Sequence, residues 1–207
     1  MNKMYLDIET IPASGKDLPK LKEIFESKKK KYQGNGKKFT MKFDEFIGIT
    51  NFTGSFGRIL CIAYAMNENE TQILTGDEEK ILKDFWEIAK KADLFIGHNV
   101  MDFDLRFIIQ RSIIYKVKPT KYISFARYRR DPIFDTLREW QNWGGGSNFD
   151  SLDSLAKAFD YETSKKGIDG SQVYKFYQEG KLEEIYQYCK DDVDLTRKVY
   201  KRISFNE

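Results

Sequence analysis

Residues 3–11, KMYLDIETI, alternate apolar and polar side chains and carry β-branched residues, which predicts a first strand. Residues 58–66, RILCIAYAM, are more continuously apolar, as in a central strand covered on both faces. TQILT at 71–75 can return as its hairpin partner across the polar turn Asn67 to Glu70. Beyond Gly76, apolar positions Ile81, Leu82, Phe85, Ile88 and Ala89 recur at helical spacing, which predicts a helix over about 78–91 with Asp77 as its N-cap. DLFIG (93–97) then reads as a short strand and 103–115 as a helix. Helical segments follow at 151–159, 171–178 and about 181–202, with Gly144 to Gly146 marking a loop. Hairpin-like strands followed by strand–helix units imply an α/β fold with a mixed central sheet flanked by helices.

The Lys-rich stretch 14–55 interrupts this pattern. It holds Gly34, Gly36, Gly48 and several aromatics, and reads as an insertion with some structure of its own after the first strand. No internal repeat is visible. At 207 residues the chain can bury one substantial core, so 1–207 is expected to form a single domain.

Composition narrows the function. Hydrophobic residues at 41% and aromatics at 15% argue for a folded chain. The formal charge of +3 conceals clustering: Lys28 to Lys31, Lys37, Lys38 and Lys42 form one basic stretch, and Lys116, Lys118, Lys121, Arg127, Arg129 and Arg130 another. Any one such cluster is explained well enough by a solvated face; two of them beside a carboxylate site suit an anionic polymer. Cys61 and Cys189 are too few for a disulfide framework or a thiolate metal site, and His98, the only histidine, excludes a His-rich one. The N-terminus shows no apolar signal region, and no apolar run approaches the ~20 residues of a membrane span. A cytoplasmic protein without a membrane partner is expected.

Three segments carry the candidate chemistry. On a strand, residues two apart face the same side, so Asp7 and Glu9 of YLDIET project together and can share a hard divalent cation such as Mg2+ or Mn2+. Thr10 and Pro12 end that strand. GHNVMDFDLRFI offers Asp102 and Asp104 at a strand end, turn and helix start, the place where open α/β sheets gather ligands. Asp104 sits in the first helical turn, and Asp102 nearer a cap position. In YQYCKDDVDL, Tyr188 and Asp192 are four apart on one helix face, while Asp191 and Asp194 turn away. Each pattern alone is short enough to arise by chance.

Together these segments resemble the DEDD superfamily of 3′–5′ exonucleases, DnaQ-like proteins with a ribonuclease-H-like fold, and Tyr188 marks the DEDDy branch. A His-type member would carry histidine where this chain has Gln187. The N-x-x-x-F-D spacing from Asn99 to Asp104 is similar to that of proofreading domains of family-B DNA polymerases and selects Asp104 over Asp102. GRILCIAYA, FDLRFIIQR, FDTL, SLDSLAKAF, KKGIDGSQVY and EEIYQYCKDDV extend the resemblance to stand-alone exonucleases related to those domains.

The resemblance implies two Mg2+ or Mn2+ ions about 3.5–4 Å apart, held by Asp7, Glu9, Asp104 and Asp192, with Tyr188 orienting the attacking water. Without cations the four carboxylates would repel one another or stay partly protonated, so metal should stabilise the fold. The substrate implied is single-stranded nucleic acid, DNA before RNA, with a polymerase or other replication protein as a partner in trans. Thr10, His98, Asn99, Arg127 and Lys166 are candidate substrate contacts. His98 serves equally as a hydrogen-bonded residue closing the strand end, and Lys165 and Lys166 equally as a solvated loop. Tyr122, Phe125 and Tyr128, interleaved with arginines, are candidate base-stacking platforms, whereas Phe103, Phe107 and Tyr64 read as core. Asp135 and Asp153 are assigned to local structure. Two rival readings use the same fold: an exoribonuclease, and a non-catalytic nucleic-acid-binding or adaptor module.

Overall fold

The computed structural model describes residues 1–147, 149–165 and 167–206. Five strands, β1 (Lys3–Ile11), β2 (Arg58–Met66), β3 (Gln72–Thr75), β4 (Leu94–Gly97) and β5 (Ile133–Asp135), form one sheet in the order β3-β2-β1-β4-β5. The β1–β2 and β2–β3 pairs are antiparallel, and β1–β4 and β4–β5 parallel. This is the mixed, helix-flanked α/β sheet expected from the order of elements. β5 is an addition: three residues are too few to show a period in the sequence.

Alternation along β1 sorts its side chains between two layers. Met4, Leu6 and Ile8 face α3 (Glu78–Ala89) and α4 (Asp104–Tyr115), whose Phe85, Trp86, Leu105 and Ile108 complete that core. Tyr5, with Cys61 and Ala63 of β2, faces α8 (Leu182–Ile203), whose Cys189, Val193 and Tyr200 fall on one stripe at helical spacing. Each fully buried aliphatic on such a stripe contributes about 1.5–3 kcal/mol. Asp7 and Glu9 share the α8 side with Tyr5, so acids stand where the period calls for apolar residues.

Two adjustments shape the sheet next to the acids. Glu9 pairs with Cys61 but Thr10 with Ile59, a bulge that leaves Leu60 as the extra residue. The parallel β1–β4 ladder pairs Lys3–Tyr5 with Leu94–Ile96 and then stops. Beyond it, Gly97 packs so closely that a Cβ there would lie 2.5 Å from that of Val100 and 3.0 Å from the Leu6 carbonyl. Only glycine lets the chain turn here toward α4.

The stretch between β1 and β2 carries α1 (Leu18–Gly34), α2 (Phe43–Gly48) and 3₁₀ turns at Gly15–Asp17 and Ile49–Phe52. α1 buries only Leu21 and Phe25, against Ala13 and Phe46, and leaves its lysines in solvent. Three short helices, α5 (Thr136–Trp140), α6 (Leu152–Ala158) and α7 (Val173–Gln178), support α8 from the outside. Among the described residues no helix is long and apolar enough to cross a membrane.

Candidate active site

The carboxyl groups of Asp7 and Glu9 meet at the α8 face of β1. One oxygen of each and the Cys189 sulfur all lie within 4.8 Å of one another. Glu9 is buried and Asp7 half-buried at the mouth of the cluster. Asp104, the first residue of α4, comes from the opposite edge of β1, and its Oδ1 accepts a 3.0 Å hydrogen bond from the Ile8 backbone N–H. That N–H lies past the end of the parallel ladder, so a side chain replaces the missing strand partner. Asp192 enters from α8, with the hydroxyls of Tyr188 and the buried Ser164 close enough to hold its carboxyl down.

The electrostatics are those of like charges confined together. Burial, and then the neighbouring Asp104, Asp192 and Glu9, push the Asp7 carboxyl well above the usual carboxylate range. Glu9 is pushed well up by burial, with Cys61, Asp192 and Asp104 adding to it. Asp104 is raised to about 7, mainly by burial, against the opposing bonds from its own N–H and that of Ile8. Asp192 is raised by burial and partly held down by Ser164 and Tyr188. No ion pair neutralises any of the four among the described residues. Burial also raises the Cys189 thiol, so it stays protonated and donates to Asp7 Oδ2 at 3.4 Å. The donor set is therefore carboxylate oxygen, which fits a hard divalent cation, with the thiol as a supporting contact.

The turn between β4 and α4 hangs on Asp135. Its buried carboxylate caps α5 and accepts the backbone N–H groups of Asn99 and Met101, both at 2.9 Å. Asn99 takes the left-handed conformation, φ +62°. The His98 Nδ1 lies 3.0 Å from the Thr136 hydroxyl, and burial lowers its pKa to about 4, so the ring is neutral. The Thr10 hydroxyl donates to the Asn51 carbonyl at 2.8 Å, which ties it to the segment ahead of β2. Arg127 is exposed and makes no hydrogen bond or ion pair among the described residues, and Lys166 lies outside them.

One expectation is corrected. Asp102 does not cap α4; Phe103 holds that position, and Asp102 instead binds Arg106 at 3.0 Å and Arg138 at 2.5 Å, joining α4 to α5. Phe125 is partly buried against the main core and lines a surface pocket together with Tyr122. Tyr122 is 91% exposed, and Tyr128 packs on Trp143 with ring centroids 5.2 Å apart. Sequence reasoning missed Ser164, whose one signal is its place just ahead of the KKG turn, and Cys189, which lies directly after Tyr188.

Comparison with known proteins adds three findings. Residues 46–207 match the family model described as predicted 3′–5′ exonucleases related to the exonuclease domain of PolB. A DNA polymerase of Archaeoglobus fulgidus is 23% identical over 161 residues, covering 70% of this chain and 20% of its own length. The family B DNA polymerase from Pyrobaculum calidifontis superposes with a TM-score of 0.66 at 15% identity, over 99% of this chain and 24% of that one. The last is a likeness of fold, and it takes in β1, which the family match leaves out. The chain spans about a fifth of the curated polymerase and a quarter of the solved one.

Proposed function

The chain belongs to the family of predicted 3′–5′ exonucleases related to the exonuclease domain of PolB, and from that membership we propose that it hydrolyses the 3′-terminal phosphodiester of a single nucleic-acid strand, releasing a 5′-nucleoside monophosphate. What supports this reading is the Asp7–Glu9 pair on β1, near enough to Asp104 of α4 and Asp192 of α8 for their charges to oppose one another, with no ion pair neutralising any of the four among the described residues. Two divalent ions, Mg2+ or Mn2+, would be held by Asp7, Glu9, Asp104 and Asp192. When bound, such ions supply Lewis-acid polarisation of the phosphodiester and offset the charge developing on its oxygens.

The remaining roles fall to the chain itself. Burial and the adjoining Asp192, Glu9 and Asp7 keep the Tyr188 phenol protonated throughout the working pH range. The phenol adjoins Asp192, and its oxygen would accept a hydrogen bond from the attacking water and aim a lone pair at phosphorus. The Ile8 N–H fixes one oxygen of Asp104 and leaves the other for an ion. His98, neutral, and Asn99 stand at the neighbouring strand end, where they would meet the terminal nucleotide. DNA is the favoured substrate because the relatives are DNA polymerases, and a polymerase would act as a partner in trans. We read the 207 residues as one exonuclease domain.

A Mn2+ titration with strands labelled at the 3′ or the 5′ end, in both DNA and RNA, tests this. The expected result is immediate release of the 3′ label as mononucleotide, strictly dependent on the metal. Release of the 5′ label first, or digestion in excess EDTA, would overturn the reading.

A further inference from the structure

Past the C-terminal end of β1, a cavity of about 580 Å3 opens between the Gly15–Asp17 turn, the start of α1, residues 55–58 and α4. Its lining includes Lys16, Lys20, Arg58 and Arg111 against a single acid, Asp17. Arg111 is neutralised within the fold by a bidentate pair with Glu78, at 2.8 and 2.9 Å. The other three cations are not matched in that way. Lys16 makes no ion pair or hydrogen bond among the described residues. Lys20 touches Asp17 at 3.1 Å, but its side chain is 64% exposed, and exposed pairs of this kind hold a lysine only weakly. Arg58 is pinned to the wall by its Nε, which donates to the Pro12 carbonyl at 3.2 Å.

The cavity is fixed relative to the acids. Besides the Arg58 bond, Thr10 donates to Asn51, and the Ala13 N–H donates to the Thr50 hydroxyl at 2.9 Å. Ser14, on the rim, is five residues from Glu9, a reach of at most about 17 Å. At ~3.4 Å per stacked nucleotide that reach sets an upper limit of about five nucleotides between the acids and the rim. The volume exceeds what a lone phosphate fills and admits a sugar–phosphate unit. Its cations and rim hydroxyl groups match a phosphodiester, while Phe56 and Tyr115 in the same lining give the attached sugar or base an apolar face.

We propose that this cavity is a second nucleic-acid contact, gripping the backbone of the same strand about five nucleotides on the 5′ side of the bond to be cut. The Lys-rich stretch after β1 thereby becomes a length gauge: strands that reach the cavity are held, and shorter ones are not. The inference rests on the exonuclease reading for the identity of the strand, and its test is one of binding, so the two can fail separately.

Anisotropy of 5′-labelled oligothymidylates of about four and about twelve nucleotides, measured in Ca2+ with increasing salt, reads the contact directly. For the paired substitution Lys16→Glu and Lys20→Glu, affinity for the longer strand should fall about tenfold or more, and the log–log salt slope should flatten by about 1.4, or ~0.7 per lost phosphate contact. Affinity for the short strand should stay within about twofold. Lys30→Glu with Lys31→Glu makes the same change of charge about 15 Å further along α1 and should alter the longer strand's affinity far less. Equal losses for the two pairs, equal losses for both strand lengths, or an unchanged salt slope would each overturn the proposal. Digestion of the short strand by the wild type in Mn2+ is scored beside these: its absence would remove the exonuclease reading while the binding results still judge the cavity.

Discussion

Asp104 Oδ1 and the backbone N–H of Ile8 are joined by a 3.0 Å hydrogen bond that spans the gap where β1 and β4 cease to pair. One carboxyl group therefore serves both as a piece of the sheet and as a member of the acid cluster. The two duties can be separated by substitution.

In Asp104→Asn the amide oxygen still accepts from Ile8, while the charge is lost. Activity should drop by about two orders of magnitude or more, and the melting temperature in EDTA should not fall below that of the wild type. Asp104→Ala leaves the Ile8 N–H buried without its acceptor and should cost a further ~1–3 kcal/mol. Chemical denaturation of both variants checks the ordering.

Tyr188→Phe removes the oxygen proposed to orient the water and keeps the ring that packs with Ile168, Val173 and Ile185. Turnover should slow on the order of 10²-fold, with the Mn2+ dissociation constant little changed. An unaltered single-turnover rate would reduce the phenol to a packing residue.

The raised carboxyl groups give metal-free protein an unusual pH response. Asp104 has an ordinary value of 3.8 and about 7 in the fold, so between these the folded state binds more protons than the unfolded one. Its contribution is fully present at low pH and is lost as pH rises through about 7. Asp7, Glu9 and Asp192 act in the same direction. His98 opposes them, because a ring held neutral down to about 4 loses stability as pH falls below its ordinary 6.5. With four groups against one, melting in EDTA should occur at higher temperature near pH 5.5 than near pH 7.5. Asp104→Asn should shrink that difference, and saturating Mn2+, which competes with protons for the same oxygens, should abolish or reverse it.

Arg111 and Glu78 are 4% and 7% exposed, and Glu78 also accepts the Ile59 N–H at 2.8 Å. Arg111→Met strands a buried carboxylate and should cost about 3–5 kcal/mol, whereas the paired change Arg111→Met with Glu78→Gln should recover part of that loss. A double-mutant cycle by urea denaturation measures the coupling.

Period and spacing disclosed much of this arrangement. The alternation of KMYLDIETI puts Asp7 and Glu9 on one side of a strand, and the four-residue step from Tyr188 to Asp192 puts them on one helix face; neither depends on distant parts of the chain. What stayed hidden depends on tertiary contact. β5 exists only because Ile133–Asp135 lies against β4. Asp102 has the look of a cap until Arg138, 36 residues away, draws it aside. Ser164 reaches Asp192 only after its loop has folded back over α8. The Lys-rich stretch gave no period because α1 needs just Leu21 and Phe25 to anchor it.

The Cys189 thiol reaches Asp7 across 182 positions of sequence. Such a contact forms only after α8 has been made and has docked on β1, since closing so long a loop is entropically slow. During synthesis the first strand would thus present its acids long before the helix that completes them is made. On the proposed reading, a ribosome-bound fragment that lacks α8 would not cut nucleic acid, and cutting would begin only once that helix had docked.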